Sequence, residues 1–432
     1  MASRVRLIQR RVLALLVAAG LVAALSMAFV SQAPNRLVSG QAVGLSHAFA
    51  SAPCWLVTTV LSMGLVLSAA VFVRPMVRTP APMGVVSAWA SSVVSALVSA
   101  LGSALASALA SAFTRALASA LLIAALAATA GLHASALAAV STPLARTSLG
   151  AGFWALVLLC ALAFADALAA LRWPRWAQVL AWAAAAAPVA ALVAWGVLDD
   201  VSLMKEYANR RDVFGATLLR HVQIVALSLA ATLLVGVPLG AALHRHEPVS
   251  RPVFAVLNVV QTIPSIALFG LLMAPLAALA AALPALARMG VSGVGLAPAV
   301  VALTLYSLLP IVRSIDAGLR QVPAAALEAA TGMGFTPRQR FWRIAVPIAM
   351  PALWAGLRVC TVQAIGLAVV AALIGAGGLG AIVFQGLLGS ALDLVLLGVL
   401  PVVGLALLAD AGFSAVAGLL PGPLPKSGPC RD

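Results

Sequence analysis

An all-α, polytopic membrane protein is what this sequence predicts, and three observations carry the prediction. First, 63% of its 432 residues are hydrophobic and only 9% are charged, with a mean hydropathy of +1.12, a balance that excludes an ordinary soluble domain. Second, apolar runs of about 18 residues or more recur along the chain, the length a helix needs to cross a bilayer, where only helices or closed barrels satisfy the backbone. Third, the net charge of +15 comes from 26 basic residues, nearly all arginine, most of them in short connections between apolar runs. Charge placed that way is topology information, not a nucleic-acid footprint. The cysteines, Cys54, Cys160, Cys360 and Cys430, have no paired spacing and suggest neither a disulfide framework nor a metal site.

The basic residues order the spans. Arg4, Arg6, Arg10 and Arg11 precede the first apolar run, which places the N-terminus in the cytoplasm and makes Val12–Val30 the first span; a long tail without a clean cleavage site disfavours a signal peptide. Trp55–Val73 returns inward to Arg74 and Arg78. Ser87 to Ser119 is a Ser-Ala-Leu expansion with serine every fourth residue and Arg115 in one serine slot. Four residues overshoot a helical turn by about 40°, so the serines spiral round a helix instead of forming one face. That helix lies at the cytoplasmic interface, tucks against the bundle, or supplies a small-residue packing seam. Two crossings between Arg78 and Phe153 would invert everything after them, so one is assigned, to Ala116–Val140 in preference to 84–113. Phe153–Leu171 leads to the cytoplasmic Arg172 and Arg175, and Ala177–Leu198 to Asp199 and Asp200 outside. His221–Leu243 comes in, the His244-Arg245-His246 connection is cytoplasmic, Val253–Leu276 goes out, and Leu296–Val312 returns. About ten spans result. The expected division is an N-terminal membrane extension over 1–200, a periplasmic linker over 201–217, a transport core over 218–420 with a cytoplasmic loop at 313–346, and a cytoplasmic tail over 421–432.

The cytoplasmic loop carries the most information. Pro323 suits the first turn of a helix, Ala324 to Ala330 are good helix formers, and the helix should run to about Met333. Gly334 can take the left-handed conformation that ends it, and Thr336-Pro337 reads as an N-cap and first residue of a second, basic helix. The product is a slim helical elbow offering the Glu328 carboxylate to a basic partner; the plain alternative is a solvated amphipathic loop between spans.

Glu328-Ala329-Ala330, three residues, Gly334, nine residues, then Ile344-Ala345-Val346-Pro347 resembles the EAA loop of binding-protein-dependent ABC importer permeases, with Val346 in place of the usual leucine. Gln261-Thr262-Ile263-Pro264-Ser265, Leu309-Pro310-Ile311-Val312-Arg313 and Leu373-Ile374-Gly375-Ala376-Gly377-Gly378-Leu379-Gly380 resemble the osmoprotectant (glycine betaine, carnitine and choline) branch. The likeness covers about Val213 to Leu420. It implies a five-helix type I, methionine-permease-like core and an elbow of Glu328, Ala329, Ala330, Gly334, Arg338 and Arg340 docked on an ATPase. It also implies two cytoplasmic ATP-binding subunits that carry the ATP and magnesium, a second permease chain, identical or related, and an external solute-binding protein. The chain itself has no phosphate-cradling loop ending in Lys and Ser or Thr, since Lys205 precedes Glu206 and Lys426 lies in a Pro-rich tail; no cofactor or metal is expected on it, and it is not expected to be an enzyme. Gly375, Gly377, Gly378 and Gly380 follow a span and precede no strand–helix unit, so a turn is favoured over a nucleotide loop.

Polar residues inside spans are candidates for the pathway, because lipid penalises them. Asn258, Gln261, Thr262 and Ser265 share a helical spacing beside Pro264, an expected kink; Tyr306, Thr361 and Gln363 join them, with interhelical hydrogen bonding the equal alternative. Tyr306 and Trp354 could also face a quaternary ammonium. Asp166 and Asp410 are read as hydrogen-bonded packing residues ahead of proton relays. Three other functions stay open: a permease for methionine or another amino acid, an ion-coupled secondary transporter, and remotely an intramembrane serine protease built on Ser292 with His133 or His221.

Overall fold

The computed structural model describes residues 26–35, 40–50, 53, 56, 112–142, 145–288 and 290–417. The chain divides into two units, Met1–Ala208 and Asn209–Asp432. Among the described residues, eight helices are long and apolar enough to cross a membrane. Most of Val12–Val30, nearly all of Trp55–Val73 and the serine repeat up to position 111 lie outside the described residues.

In the N-terminal unit, β1 (Val30–Ala33), β2 (Gln41–Val43) and α1 (Leu45–Ala50) precede α2 (Ala112–Val140), β3 (Arg146–Leu149), α3 (Ala151–Leu171), α4 (Arg175–Ala194) and α5 (Ser202–Ala208). The Ala- and Leu-rich α2, described from Ala112, contains all of the expected span Ala116–Val140. Its small residues let the chain approach closely: a Cβ on Gly131 would stand 2.4 Å from the Val197 carbonyl oxygen. Phe29, Val30, Leu126, Phe153 and Cys160 form the core between these elements. Arg115, in its serine slot, donates to Asp166 of α3 at 2.6 Å, so Asp166 is a helix-packing residue.

A three-stranded antiparallel sheet of order β2-β1-β3 accompanies the helices of this predominantly helical chain. Val30 pairs with both Val43 and Leu149, and Ala33 with Arg146. The apolar run expected to span to Val30 therefore finishes in a strand: Ser31 and Gln32 follow, and pairing satisfies a backbone that a polar sequence would not carry through lipid. Residues 201–217, expected as a linker, carry secondary structure. Val201 bridges to Thr147, Ser202–Ala208 is helical and buries Glu206 within 4.0 Å of Arg146, and the next helix starts at Arg211. The helix expected to reach Leu198 stops at Ala194, where Gly196 turns the chain at φ 75°.

The second unit holds α6 (Arg211–Arg245), α7 (Glu247–Thr262), α8 (Ser265–Ala282), α9 (Pro284–Arg288), α10 (Leu296–Arg320), α11 (Ala324–Gly332), α12 (Pro337–Arg340), α13 (Val346–Val370), α14 (Leu379–Leu388) and α15 (Leu392–Ala417). At 35 residues, α6 is about 52 Å long at 1.5 Å per residue and outruns a bilayer core of about 30 Å. The expected single span Val253–Leu276 is two helices. Ile263 takes an extended conformation between them, because Pro264 supplies no N–H and biases the residue before it away from helix. Ser265 thus belongs to a different helix from Asn258, Gln261 and Thr262.

The centre of this unit is α10, with Ala299, Ala302, Leu303, Ile311 and Val312 fully enclosed. Lipid tails are as apolar as leucine, so helices associate by close packing, which small residues permit. A Cβ on Gly236 would meet Ile311 at 3.0 Å, one on Gly240 would meet Ile315 at 2.9 Å, and one on Gly318 would meet the Ala349 carbonyl at 2.9 Å. Between α13 and α15, Arg358 holds Asp410 through two hydrogen bonds of 2.5 and 2.7 Å, and Trp354 donates to the Phe413 carbonyl at 2.9 Å. Asp410 therefore packs two helices together, and the Trp354 indole N–H is already engaged.

Candidate functional site

The elbow begins where α10 ends. Helix α10 runs to Arg320, well past the expected membrane exit at Val312, so the loop proper is shorter than 313–346. Pro323 caps α11 from outside instead of occupying its first turn. The end of α11 is a Schellman turn: Phe335 N–H donates to Ala330 O at 3.0 Å and Gly334 N–H to Thr331 O at 3.0 Å. Gly334 sits at φ 80°, a conformation that costs other residues about 1 kcal/mol. Thr336 then opens α12 with a reciprocal capping box to Gln339. The second, basic helix is only the first turn of a longer run: a π-helical turn, Phe341–Ala345, joins α12 to α13, and the run stays helical from Pro337 to Ile374.

Within this elbow Glu328 and Ala329 are exposed, and Ala330 is fully buried against the body of the turn. Glu328 makes no hydrogen bond or ion pair among the described residues, so its carboxylate is available to a partner. Arg338 is exposed. Arg340 Nη1 donates to Thr331 Oγ1 at 2.8 Å, which ties the two arms of the elbow together. Met333 and Trp342, not singled out in the sequence, are 67% and 61% exposed on the same element.

The expected pathway residues do not form one polar face. Gln261 Nε2 donates to the Tyr306 carbonyl at 2.7 Å, and the Tyr306 hydroxyl donates to the Ile263 carbonyl; together they bind the helix break at Ile263-Pro264 to α10. Asn258 accepts from Arg313 at 2.7 Å. Thr262 and Thr361 bond their own helices, at Val259 O and Leu357 O. Ser265 opens α8 and Gln363 is half-buried on α13. The structure thus brings Gln261, Pro264 and Tyr306 together and leaves Thr361 and Gln363 on another helix.

The glycines form a turn. A short 3₁₀ segment, Ala371–Ile374, ends at Gly375, and Gly375, Gly377 and Gly378 all have φ between 76° and 80°. Arg220 Nε donates to Ala376 O at 3.0 Å. Gly380 lies within α14, so close to the preceding span that a Cβ would stand 2.0 Å from Val369 O. Ser292 donates to Val294 O at 2.5 Å, while the His221 ring bonds Ile365 O at 3.1 Å, an arrangement that gives Ser292 no base in His221. Sequence reasoning missed Arg358 as the partner of Asp410; one basic and one acidic residue in otherwise apolar spans was the available signal.

Comparisons with known proteins identify the family. Residues 232–418 match the family described as binding-protein-dependent transport system inner membrane component, and residues 9–110 and 79–204 match the N-terminal domain of the ABC transporter permease YehY. The osmoprotectant import permease protein OsmW of Salmonella typhimurium is 40% identical over 191 residues, covering 44% of this chain and 84% of that protein. The choline transport system permease protein OpuBB of Bacillus subtilis is 36% identical, covering 44% and 80%. Among solved structures, a chain of the inward-facing MetNI methionine ABC transporter is similar at a TM-score of 0.43 and 23% identity, covering 49% of this chain and 97% of that one. The chain belongs to the binding-protein-dependent permeases of ABC importers, a multi-pass membrane family whose transport core here follows a YehY-type N-terminal domain.

Proposed function

We propose that this permease forms the translocation path for an osmoprotectant such as glycine betaine, choline or a related quaternary ammonium compound, in a bacterial inner membrane, with both termini cytoplasmic. The observation that carries the mechanism is the preformed elbow with the unpaired Glu328 at its surface; the solute class rests on the names of the relatives. Two ATP-binding subunits bind ATP and magnesium, close on nucleotide, and draw together the elbows of two permease chains. Displacing the elbows shifts the spans behind them between two packings, so binding energy at a distant site becomes a population shift. An external solute-binding protein delivers the solute to the opposite face.

Docking is assigned to Glu328, Ala329, Arg338 and the exposed Met333 and Trp342, with Ala330, Gly334 and Arg340 shaping the elbow from within. For the pathway, Gln261, Tyr306 and the break at Pro264 are favoured, because a helix interruption inside a membrane bundle is tolerated where protein or a cavity surrounds it. Glu328→Arg tests the docking reading. The variant should insert and fold normally, since Glu328 has no partner to lose among the described residues, yet fail to take up labelled choline or glycine betaine in cells; uptake at the normal rate would refute docking through Glu328. If wild-type uptake is competed by methionine and not by quaternary ammonium compounds, the solute is an amino acid instead.

A further inference from the structure

The elbow has two roots, the end of α10 before it and the π-helical turn after it, and one short connection, between α6 and α7, holds both. On the first root, the Nδ1–H of His244 donates to Asp316 Oδ1 at 3.2 Å. Arg320 donates to Asp316 Oδ2 at 2.9 Å and approaches Glu247 to 3.7 Å. On the second root, the Arg245 guanidinium lies 4.8 Å above the ring of Phe341, the first residue of the π-helical turn. The α6–α7 connection that supplies His244, Arg245 and Glu247 has no slack. His246 is its only non-helical residue, its N–H donates to Ala242 O at 3.1 Å, and its carbonyl accepts from Val249 and Ser250 at 3.1 Å. The centre of the network is sheltered, with the Asp316 side chain 15% exposed.

We infer that residues 244–247 form a clasp that makes the elbow, the base of α10 and the α6–α7 corner move as one body. The inference rests on the docking reading above. The Arg340–Thr331 bond and the capping box stiffen the elbow internally, so a push on Glu328 reaches the roots undiminished. Without the clasp, the elbow would pivot at the short joint 321–323 and at the π-helical turn, a kind of turn that is frequent at functional sites. With it, the push also displaces α6 and α7, and α7 leads directly into the break at Ile263-Pro264. His244, Arg245 and Glu247 are therefore positioning residues for energy coupling that do not themselves touch solute or ATPase.

The test uses the full complex of this permease with its ATP-binding subunit and solute-binding protein, reconstituted in lipid vesicles, and reads solute moved per ATP hydrolysed. Combining Arg245→Ala with Glu247→Gln should lower that ratio by about five-fold or more, the lower bound of typical coupling between sites, while recovery of the ATP-binding subunit stays unchanged. Arg245→Lys with Glu247 intact should keep most of the ratio, since an ammonium can also sit over the Phe341 ring. A second variant carries His244→Cys and Asp316→Cys with Cys54→Ser and Cys430→Ser, and is bridged by a short bis-maleimide. Its transport should survive, because the clasp does not open during the cycle. An unchanged ratio in the first variant, or arrest of transport by the bridge, overturns the clasp alone. Failure of the wild-type chain to recover any ATP-binding subunit overturns the docking reading and the clasp with it.

Discussion

Gly380→Ala and Gly375→Ala exchange the same hydrogen for the same methyl group at either end of one glycine-rich turn, and the structure predicts different costs. Gly375 has φ 78° and open surroundings, the nearest atom to an added methyl being Gly295 N at 4.0 Å. Its substitution costs only the left-handed penalty, about 1 kcal/mol. Gly380 is helical, so intrinsic propensity would favour alanine there by up to about 1 kcal/mol. Its Cβ, however, would stand 2.0 Å from Val369 O and 2.8 Å from Val369 C. Both are backbone atoms of the preceding span and cannot rotate aside, so α14 must move by more than about 1 Å. Overpacking of that kind costs about 3 kcal/mol or more. Thermal unfolding of the detergent-solubilised protein, followed by loss of monodispersity, is the assay. Gly380→Ala should fall well below Gly375→Ala, and equal midpoints for the two, or a stabilised Gly380→Ala, would refute the close approach of α14 to the span.

Two further substitutions follow from the pairs found between helices. Asp410→Asn strips Arg358 of its charged partner across α13 and α15 and should cost about 2 kcal/mol, a value below that of a buried pair because both side chains are partly exposed; Arg358→Met combined with Asp410→Leu should recover most of it, as read by the same thermal assay, and failure to recover would contradict a purely packing role. Tyr306→Phe removes the bond to the Ile263 carbonyl and should cost about 1 kcal/mol in stability, with a larger proportional fall in the maximal uptake rate if the break at Pro264 moves in transport. Equal, small effects on both would make the bond structural only.

The elbow was the most legible part of the chain because its signals are local. Thr336, Pro337 and Gly334 act through their own backbone and near neighbours, so an N-cap, a proline first turn and a left-handed stop can be read without tertiary knowledge. The apolar spans were legible for a related reason: lipid forces each to satisfy its own backbone. What escaped reading depends on partners distant in sequence. The bonds from Arg340 to Thr331 and from Arg313 to Asn258 join residues nine and 55 positions apart in the chain, which no local pattern announces. The break at Ile263-Pro264 reads as a kink because proline limits its neighbour without fixing how far the chain departs from helix. The sheet around Val30 rests on pairing between strands separated by more than 100 residues, and three- and four-residue strands leave no period long enough to recognise. Ser202–Ala208 reads as linker because its burial against β3 is a tertiary event.

At the centre of the proposed function stands the conversion of ATP binding by a separate subunit into solute movement through the elbow of this chain. The most direct measurement is recovery of the tagged, solubilised protein from its native host, identification of the chains that come with it, and assay of the complex for ATP hydrolysis stimulated by solute and its binding protein. An ATP-binding subunit recovered with the wild-type chain and lost with Glu328→Arg, together with stimulated hydrolysis, is the predicted result. Recovery of the permease alone, with solute flux in vesicles driven by an ion gradient and indifferent to ATP, would contradict the account.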